Sequence, residues 1–333
     1  MPNFRRLNTY SGWLIFSIST VVYMLTVEET ASFWDCGEFI ASSYKLQVPH
    51  PPGAPFFLLM GRIFSFLAFG DTSQVAYWIN MISVLSSGFT ILFLFWSISL
   101  LGLKLFKVNQ DSISQTQTFT VLAGSAIGAL AYTFSDSFWF SAGEAEVYAM
   151  SSFFTAFVFW AILRWERITD ESKANRWLIL IAYMMGLSIG VHLLNLVTIP
   201  ALAMIYYYKK YQPSTMGFVA TMLISGLIIV TIMSGIIPGL PSLAGSFEVF
   251  FVNNLGLPFG SGIIAIAILL LGGLVYGIVR TQKQGREILN TALLSLAFVL
   301  VGYSSYTIIV IRSNYNTPID QNNPDDIMSI VSY

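Results

Sequence analysis

Asp35 and Glu38 stand three residues apart in the run WDCGEFI, Trp34–Ile40. On a helix that spacing puts both carboxylates on one face. Gly37 between them admits close approach of backbone or ligand. A carboxylate beside an apolar wall gains proton affinity and can serve as a general base. The same spacing also suits a helix start, with Asp35 as the cap and Glu38 three positions in, as in a capping box. The two readings are compatible.

Further along, His50 opens HPPGAP, His50–Pro55. Pro51 and Pro52 remove two donors and fix an extended turn, so this backbone belongs at a water-accessible edge and not in lipid. His50 is either plain turn architecture or a group that binds phosphate or orients an acid. GEAEVY, Gly143–Tyr148, carries Glu144 and Glu146 two residues apart. A helix would not align them, so one is expected to face the bundle and the other water. Glu146, nearer the next apolar run, is the expected inward one. His192 and Asn195 in GVHLLN lie in a very short turn at membrane depth, where a polar side chain either ties the turn or serves a ligand. Arg312 ends the last apolar run, and Arg62 lies inside the stretch 54–69. An Arg there is either a snorkelling anchor or a fork for a phosphate.

These groups need a frame, and composition says which kind. The 333 residues are 55% hydrophobic and 10% charged, against about 25% charged in soluble domains. The mean hydropathy is +0.70. That is an integral membrane protein, built as a polytopic bundle of α-helices. No basic run or basic-aromatic patch is present, which excludes nucleic acid as a partner. A single cysteine, Cys36, excludes an internal disulfide and a cysteine-rich metal site. No metal-ligand spacing stands out. The outer acids could take a divalent ion, but nothing in their spacing demands one.

A crossing helix needs about twenty apolar residues. Nine are expected, near 11–27, 75–101, 118–135, 147–163, 177–193, 195–208, 216–236, 262–279 and 288–311. The first is expected to stay uncleaved, because Glu28 and Glu29 follow it without a small-residue cleavage pattern. The stretch 54–69, with Arg62 in its middle, suits a helix lying in the interface. With the N-terminus inside and 54–69 not crossing, only Lys45, Arg62 and Arg312 of the 16 basic residues fall outside. That satisfies the positive-inside bias. The acids lean the other way: all but Asp111, Glu166, Asp170, Glu171 and Glu287 are outside. Three outer segments result: 28–74, 135–147 and the Gly-, Pro- and Phe-rich 238–260. Residues 1–311 form the membrane domain, and the polar stretch 312–333 reads as the start of an outer soluble region. Gly124 with Gly128, Gly186 with Gly190, and Gly273 with Gly277 have the spacing of close helix contacts. No internal repeat and no helix broken at midplane is evident.

An apolar first span, an outer loop with WDCGEF, then HPPGAP leading to an interfacial helix: this order resembles the GT-C glycosyltransferases, the protein O-mannosyltransferases in particular. The nearest likeness is to glycosyltransferase family 117, also called domain of unknown function 2723, whose blocks WDCGEFI, HPPGAP, GEAEVYA, GVHLLN and IRSNYN match. The sequence departs from the mannosyltransferases at three places. Cys36 stands where they have a second acid, Val48 where they have an Asp, and Asn80 where they have an Arg. The resemblance implies an inverting transfer of a mannose-like hexose from a polyprenyl-phosphate donor to an outer acceptor, a protein hydroxyl or a glycan. Asp35 would be the base, with Glu38 beside it. His50, Arg62, Glu146, His192, Asn195 and Arg312 would hold donor or lipid phosphate. The implied place is a bacterial inner membrane, with the active site periplasmic and no cofactor beyond the lipid-linked donor. A transporter of a lipid-linked or small anionic substrate and a non-catalytic scaffold are the alternatives from other classes.

Overall fold

The computed structural model describes residues 4–333, and among these every regular element is helical. The helical class expected from the sequence is the one the chain adopts. It divides into two compact units.

The first unit comprises the residues up to Leu46, Phe56–Arg167 and Val191–Asn195. Its helices are α1 (Phe4–Leu25), α2 (Cys36–Lys45), α3 (Pro55–Ser65), α4 (Val75–Leu105), α5 (Gln115–Thr133), α6 (Asp136–Ala142) and α7 (Val147–Glu166). Helix α4 is apolar on all sides, which is the pattern of a helix surrounded by others. It packs against α1, α5 and α7. Glycines set the approach of α1: a Cβ on Gly88 would come 2.2 Å from the Thr20 hydroxyl, and one on Gly12 2.4 Å from the Trp96 indole. Aromatic contacts join α4 to α7, with Phe93 edge-on to Phe157 at 5.1 Å and tilted against Trp160 at 5.0 Å. Tyr23, Ile91, Phe95 and Ala129 are fully buried at the centre. The Tyr23 hydroxyl donates to the Thr133 carbonyl at 3.0 Å, so its polar end is satisfied in the apolar interior. Helix α5 opens on a capping box of Ser114 and Gln117 and ends in a bend of 69° into α6. That break, not legible in the sequence, lies at the end of α5.

The second unit comprises Gln47–Pro55, Ile168–Gly190 and Leu196–Tyr333. Its helices are α8 (Glu171–Ile189), α9 (Ile199–Lys210), α10 (Thr215–Val230), α11 (Gly239–Asn253), α12 (Ser261–Lys283), α13 (Glu287–Tyr303), α14 (Thr307–Ser313) and α15 (Ile327–Ser332). Helices α8 and α13 meet backbone to backbone: a Cβ on Gly186 would sit 2.4 Å from the Val299 carbonyl oxygen, and one on Gly302 2.4 Å from the Leu187 nitrogen. Of the other expected glycine contacts, Gly128 meets Ile98 and Gly277 meets Leu293, whereas Gly124 and Gly273 face nothing within 4 Å.

Five stretches are long and apolar enough to cross a bilayer: Thr72–Leu105, Val147–Glu166, Thr215–Asn253, Ser261–Lys283 and Glu287–Ser313. The bent pair α5–α6 makes a sixth if it counts as one span. The expected spans at 11–27, 177–193 and 195–208 fall outside this group. Helix α1 carries Arg5, Arg6 and Asn8, α8 opens with Glu171, Lys173 and Arg176, and α9 has 12 residues, about 18 Å. Helix α3, at 11 residues or about 16 Å, is too short to cross about 30 Å of hydrocarbon.

The segment 238–260, expected to be an irregular outer loop, is mostly helix. Pro238 and Pro241 fall before and within the first turn of α11, where a missing N–H costs nothing. A π turn at Thr231–Ile236 carries α10 into α11, so 39 residues run on as one helical rod, about 58 Å long. At its far end the buried Glu248 accepts the Gly260 N–H and, at 3.1 Å, the Ile263 N–H, which caps α12 with a carboxylate.

Candidate functional site

Helix α2 is the element that presents the paired acids. Trp34, at φ 60° and almost wholly exposed, turns the chain sharply into it. A bulky residue in the left-handed region is a backbone outlier. Asp35 follows at the N-cap position, and Glu38 lies in the first turn. The expected capping bond is absent: no side-chain hydrogen bond from Asp35 closes the helix end. Its carboxylate is not spent on the cap. The shared face is as expected, with carboxylate oxygens of Asp35 and Glu38 within 4.8 Å of each other. Two such oxygens could receive a hydroxyl proton or hold a hard divalent cation.

Between them on the chain, Cys36 points inward and is fully buried. Its thiol donates to Glu144 Oε2 at 3.7 Å. Burial, with the Glu144 and Glu146 carboxylates beside it, pushes the thiol up to about 12. It stays protonated at neutral pH. Glu144 is itself raised above the usual carboxylate range, by burial first and by Glu28 last, while hydrogen bonds from Ser32 and Cys36 pull it back. The expectation that one of Glu144 and Glu146 would face water is wrong: both are buried, at 5% and 6% exposure. The turn is too compact to release either. Glu28 N–H donates to the Gly143 carbonyl at 3.0 Å and Glu146 N–H to the Glu144 carbonyl at 2.8 Å. Glu146 accepts the Val147 N–H at 3.1 Å and so caps α7. Distance from the apolar run, which favours Glu146 alone, does not separate the two. The flanking small residues Ala142, Gly143 and Ala145, all buried, were the available sign that this turn packs inward.

Asn80, where the mannosyltransferases have an Arg, clamps the start of this loop. Its amide donates to the Glu28 carbonyl at 2.7 Å and the Thr30 carbonyl at 3.0 Å. Arg62 is engaged at the other end of α2. It donates to the Tyr44 carbonyl, and its guanidinium lies 4.5 Å from the Phe66 ring. A guanidinium there suits the negative end of the helix dipole. His192 and Asn195 tie their turn to α7. His192 Nδ1 accepts the Leu194 N–H at 3.1 Å, its ring lies 5.5 Å from Tyr148, and burial lowers its proton affinity. The fully buried Asn195 accepts from the Thr155 hydroxyl at 3.3 Å.

His50 and Arg312 belong to the second unit. The His50 carbonyl accepts the Gly53 N–H at 2.9 Å, closing the expected turn, and the Pro51–Pro52 bond is cis. This turn is laced to the C-terminal stretch. Val48 N–H donates to the Ile319 carbonyl at 3.0 Å and accepts from Gln321 N–H at 3.1 Å through its own carbonyl. The Tyr333 hydroxyl donates to the Pro49 carbonyl at 2.5 Å. Arg312 lies 5.3 Å from the Tyr315 ring at the end of α14.

A family model described as the protein O-mannosyl-transferase TMEM260 N-terminal domain matches residues 35–215. The matched region begins at Asp35 and takes in every candidate residue except Arg312. Two curated relatives are both named protein O-mannosyl-transferase TMEM260. The one from Dictyostelium discoideum is 28% identical over 143 residues, 43% of this chain and 15% of that protein. The one from Mus musculus is 25% identical over 176 residues, 53% of this chain and 22% of that protein. The matches thus span less than a quarter of either relative. No solved structure matches.

Proposed function

The chain belongs to the protein O-mannosyl-transferase TMEM260 N-terminal domain family, and from that premise we propose that it is the membrane part of a glycosyltransferase acting on protein hydroxyls. The donor in this reading is a mannose-like hexose on a polyprenyl phosphate, and the acceptor is a Ser or Thr hydroxyl on the outer face of a bacterial inner membrane. Residues 1–311 would be the membrane domain and 312–333 the beginning of its outer region.

The observation that carries the reading is the pairing of Asp35 and Glu38. At the N-cap of α2 the Asp35 carboxylate stands with a Glu38 oxygen within 4.8 Å. Asp35 takes the acceptor's hydroxyl proton as that oxygen bonds to the anomeric carbon. The bond from that carbon to the phosphate oxygen breaks on the opposite face, so the configuration inverts. The electron pair leaves with the polyprenyl phosphate. Arg62 would offset charge growing on the phosphate, which is where fixed cations act most. Glu38 orients the acceptor. The buried Glu144, Glu146 and Asn80 hold the loop that carries Asp35. No metal enters this account.

The test is transfer to an acceptor peptide by purified Asp35→Asn and Glu38→Gln chains. Asp35→Asn keeps shape and loses proton acceptance, a step worth roughly 10²–10⁴-fold. Its lipid binding should persist. If Glu38→Gln abolishes turnover and Asp35→Asn does not, the roles are exchanged. If both folded variants transfer at the parent rate, this loop is not the catalytic site.

A further inference from the structure

The charged ends of three helices in the second unit enclose a groove that the transferase reading leaves unused. Glu171 is in the first turn of α8, Glu287 in the first turn of α13, and Lys210 in the last turn of α9. All three line a cavity of about 330 Å³, whose apolar wall is made by Leu178, Ile181, Ile288 and Ala292. A second cavity of about 240 Å³ shares Glu287, Asn175 and Thr291 and adds Arg176. The first volume is at the lower end of the about 300–1,000 Å³ usual for ligand pockets, and the second lies below it.

The pattern is amphipathic along the groove and charge-balanced at its mouth. Two carboxylates and two cations meet there, and Lys210 already bonds Glu171 at 2.5 Å. Glu287 has no ion-pair partner among the described residues. An anionic headgroup would meet Glu287 and Glu171 as well as the cations. A zwitterion with a phosphate and an amine matches both signs. Its ammonium brings N–H donors for Glu287, and its phosphate suits Lys210 or Arg176. A quaternary ammonium has no such donor and needs an aromatic cage, which a groove with Tyr206 as its one aromatic residue lacks. The apolar wall then takes the upper acyl chain. By the distribution of basic residues this mouth would lie on the inner side.

We propose that this groove is a binding site for one phosphatidylethanolamine molecule of the inner leaflet. The test is native mass spectrometry of the detergent-purified chain in micelles doped with phosphatidylethanolamine, phosphatidylcholine or phosphatidylglycerol. One phosphatidylethanolamine should stay bound, about tenfold more than phosphatidylcholine. Glu287→Gln should remove that preference, the effect of losing one charge-assisted hydrogen bond, with melting unchanged. Ala292→Trp, which fills the groove, should exclude the lipid. If Ala292→Trp fails to fold, Glu287→Gln decides alone. Equal retention of phosphatidylcholine, stronger retention of phosphatidylglycerol, or an unaltered preference in folded Glu287→Gln overturns the proposal.

Discussion

Replacing Cys36 by Asp would restore the second acid that the mannosyltransferases carry, and the surroundings of Cys36 forbid it here. Its sulfur lies 3.7 Å from Glu144 Oε2, fully buried. Two carboxylates at that distance repel by about 4 kcal/mol at an effective dielectric near 20. The pair escapes by keeping one proton. Holding that proton at pH 7 on a group that ordinarily loses it near 4 costs about 1.4 kcal/mol per pH unit, again about 4 kcal/mol. Net stabilities are about 5–15 kcal/mol, so Cys36→Asp should lower the melting temperature by on the order of 10 °C at pH 7. The deficit should shrink toward pH 5, where the shared proton is nearly free. Glu144→Gln in the same chain should recover most of it, and Cys36→Ser, which keeps a donor, should cost about 1 kcal/mol. Thermal unfolding of the parent, Cys36→Asp, Glu144→Gln and the double variant across pH measures this as a double-mutant cycle, with Cys36→Ser measured beside them. A Cys36→Asp chain that melts within about 2 °C of the parent, or a deficit indifferent to Glu144→Gln, refutes the burial argument.

Glu144 also predicts a pH dependence. Its folded proton affinity is raised by burial, so its contribution to stability is full in acid and lost as pH rises through its folded pKa. Melting temperature should therefore climb as pH falls from above that folded pKa toward the ordinary carboxylate range, and the slope should flatten in Glu144→Gln. Gly302→Leu drives a side chain into the Gly186–Leu187 backbone and should cost about 1–3 kcal/mol or more, whereas the same change at Gly273, which faces open space, should be nearly silent in a detergent melt. Arg312→Ala should weaken donor affinity more than Arg312→Lys, and equal affinities for both leave Arg312 an anchor. Cysteines placed at Asp71 and Leu105 should be respectively accessible and protected in intact cells. Labelling at position 105 would overturn the orientation.

The parts of the site read correctly from sequence are those governed by local spacing. Asp35 and Glu38 share a face because three residues is nearly one helical turn, and HPPGAP turns because two prolines allow little else. The helical class follows from apolar runs of span length. What failed depends on partners distant in the chain. Glu144 and Glu146 are both buried because Gly143 meets the backbone near Glu28, more than a hundred residues away, which no local period reports. Pro238 and Pro241 look like loop residues in sequence, yet at a helix start they are tolerated. Gly124 and Gly273 have the spacing of contact residues but face no helix. The lacing of the His50 turn to 319–333 leaves no pattern in the sequence at all.

The rod from Thr215 to Asn253 is nearly twice as long as the hydrocarbon layer is thick. A helical member of about 58 Å gives leverage: each degree of tilt moves its far end by about 1 Å. Helices answer a change in bilayer thickness by tilting. The Glu248–Gly260 corner rides on that far end, and α15 lies along the same half of the rod, with Met328 beside Gly245. A change in lipid composition that tilts this segment by a few degrees should therefore move that end by ångströms.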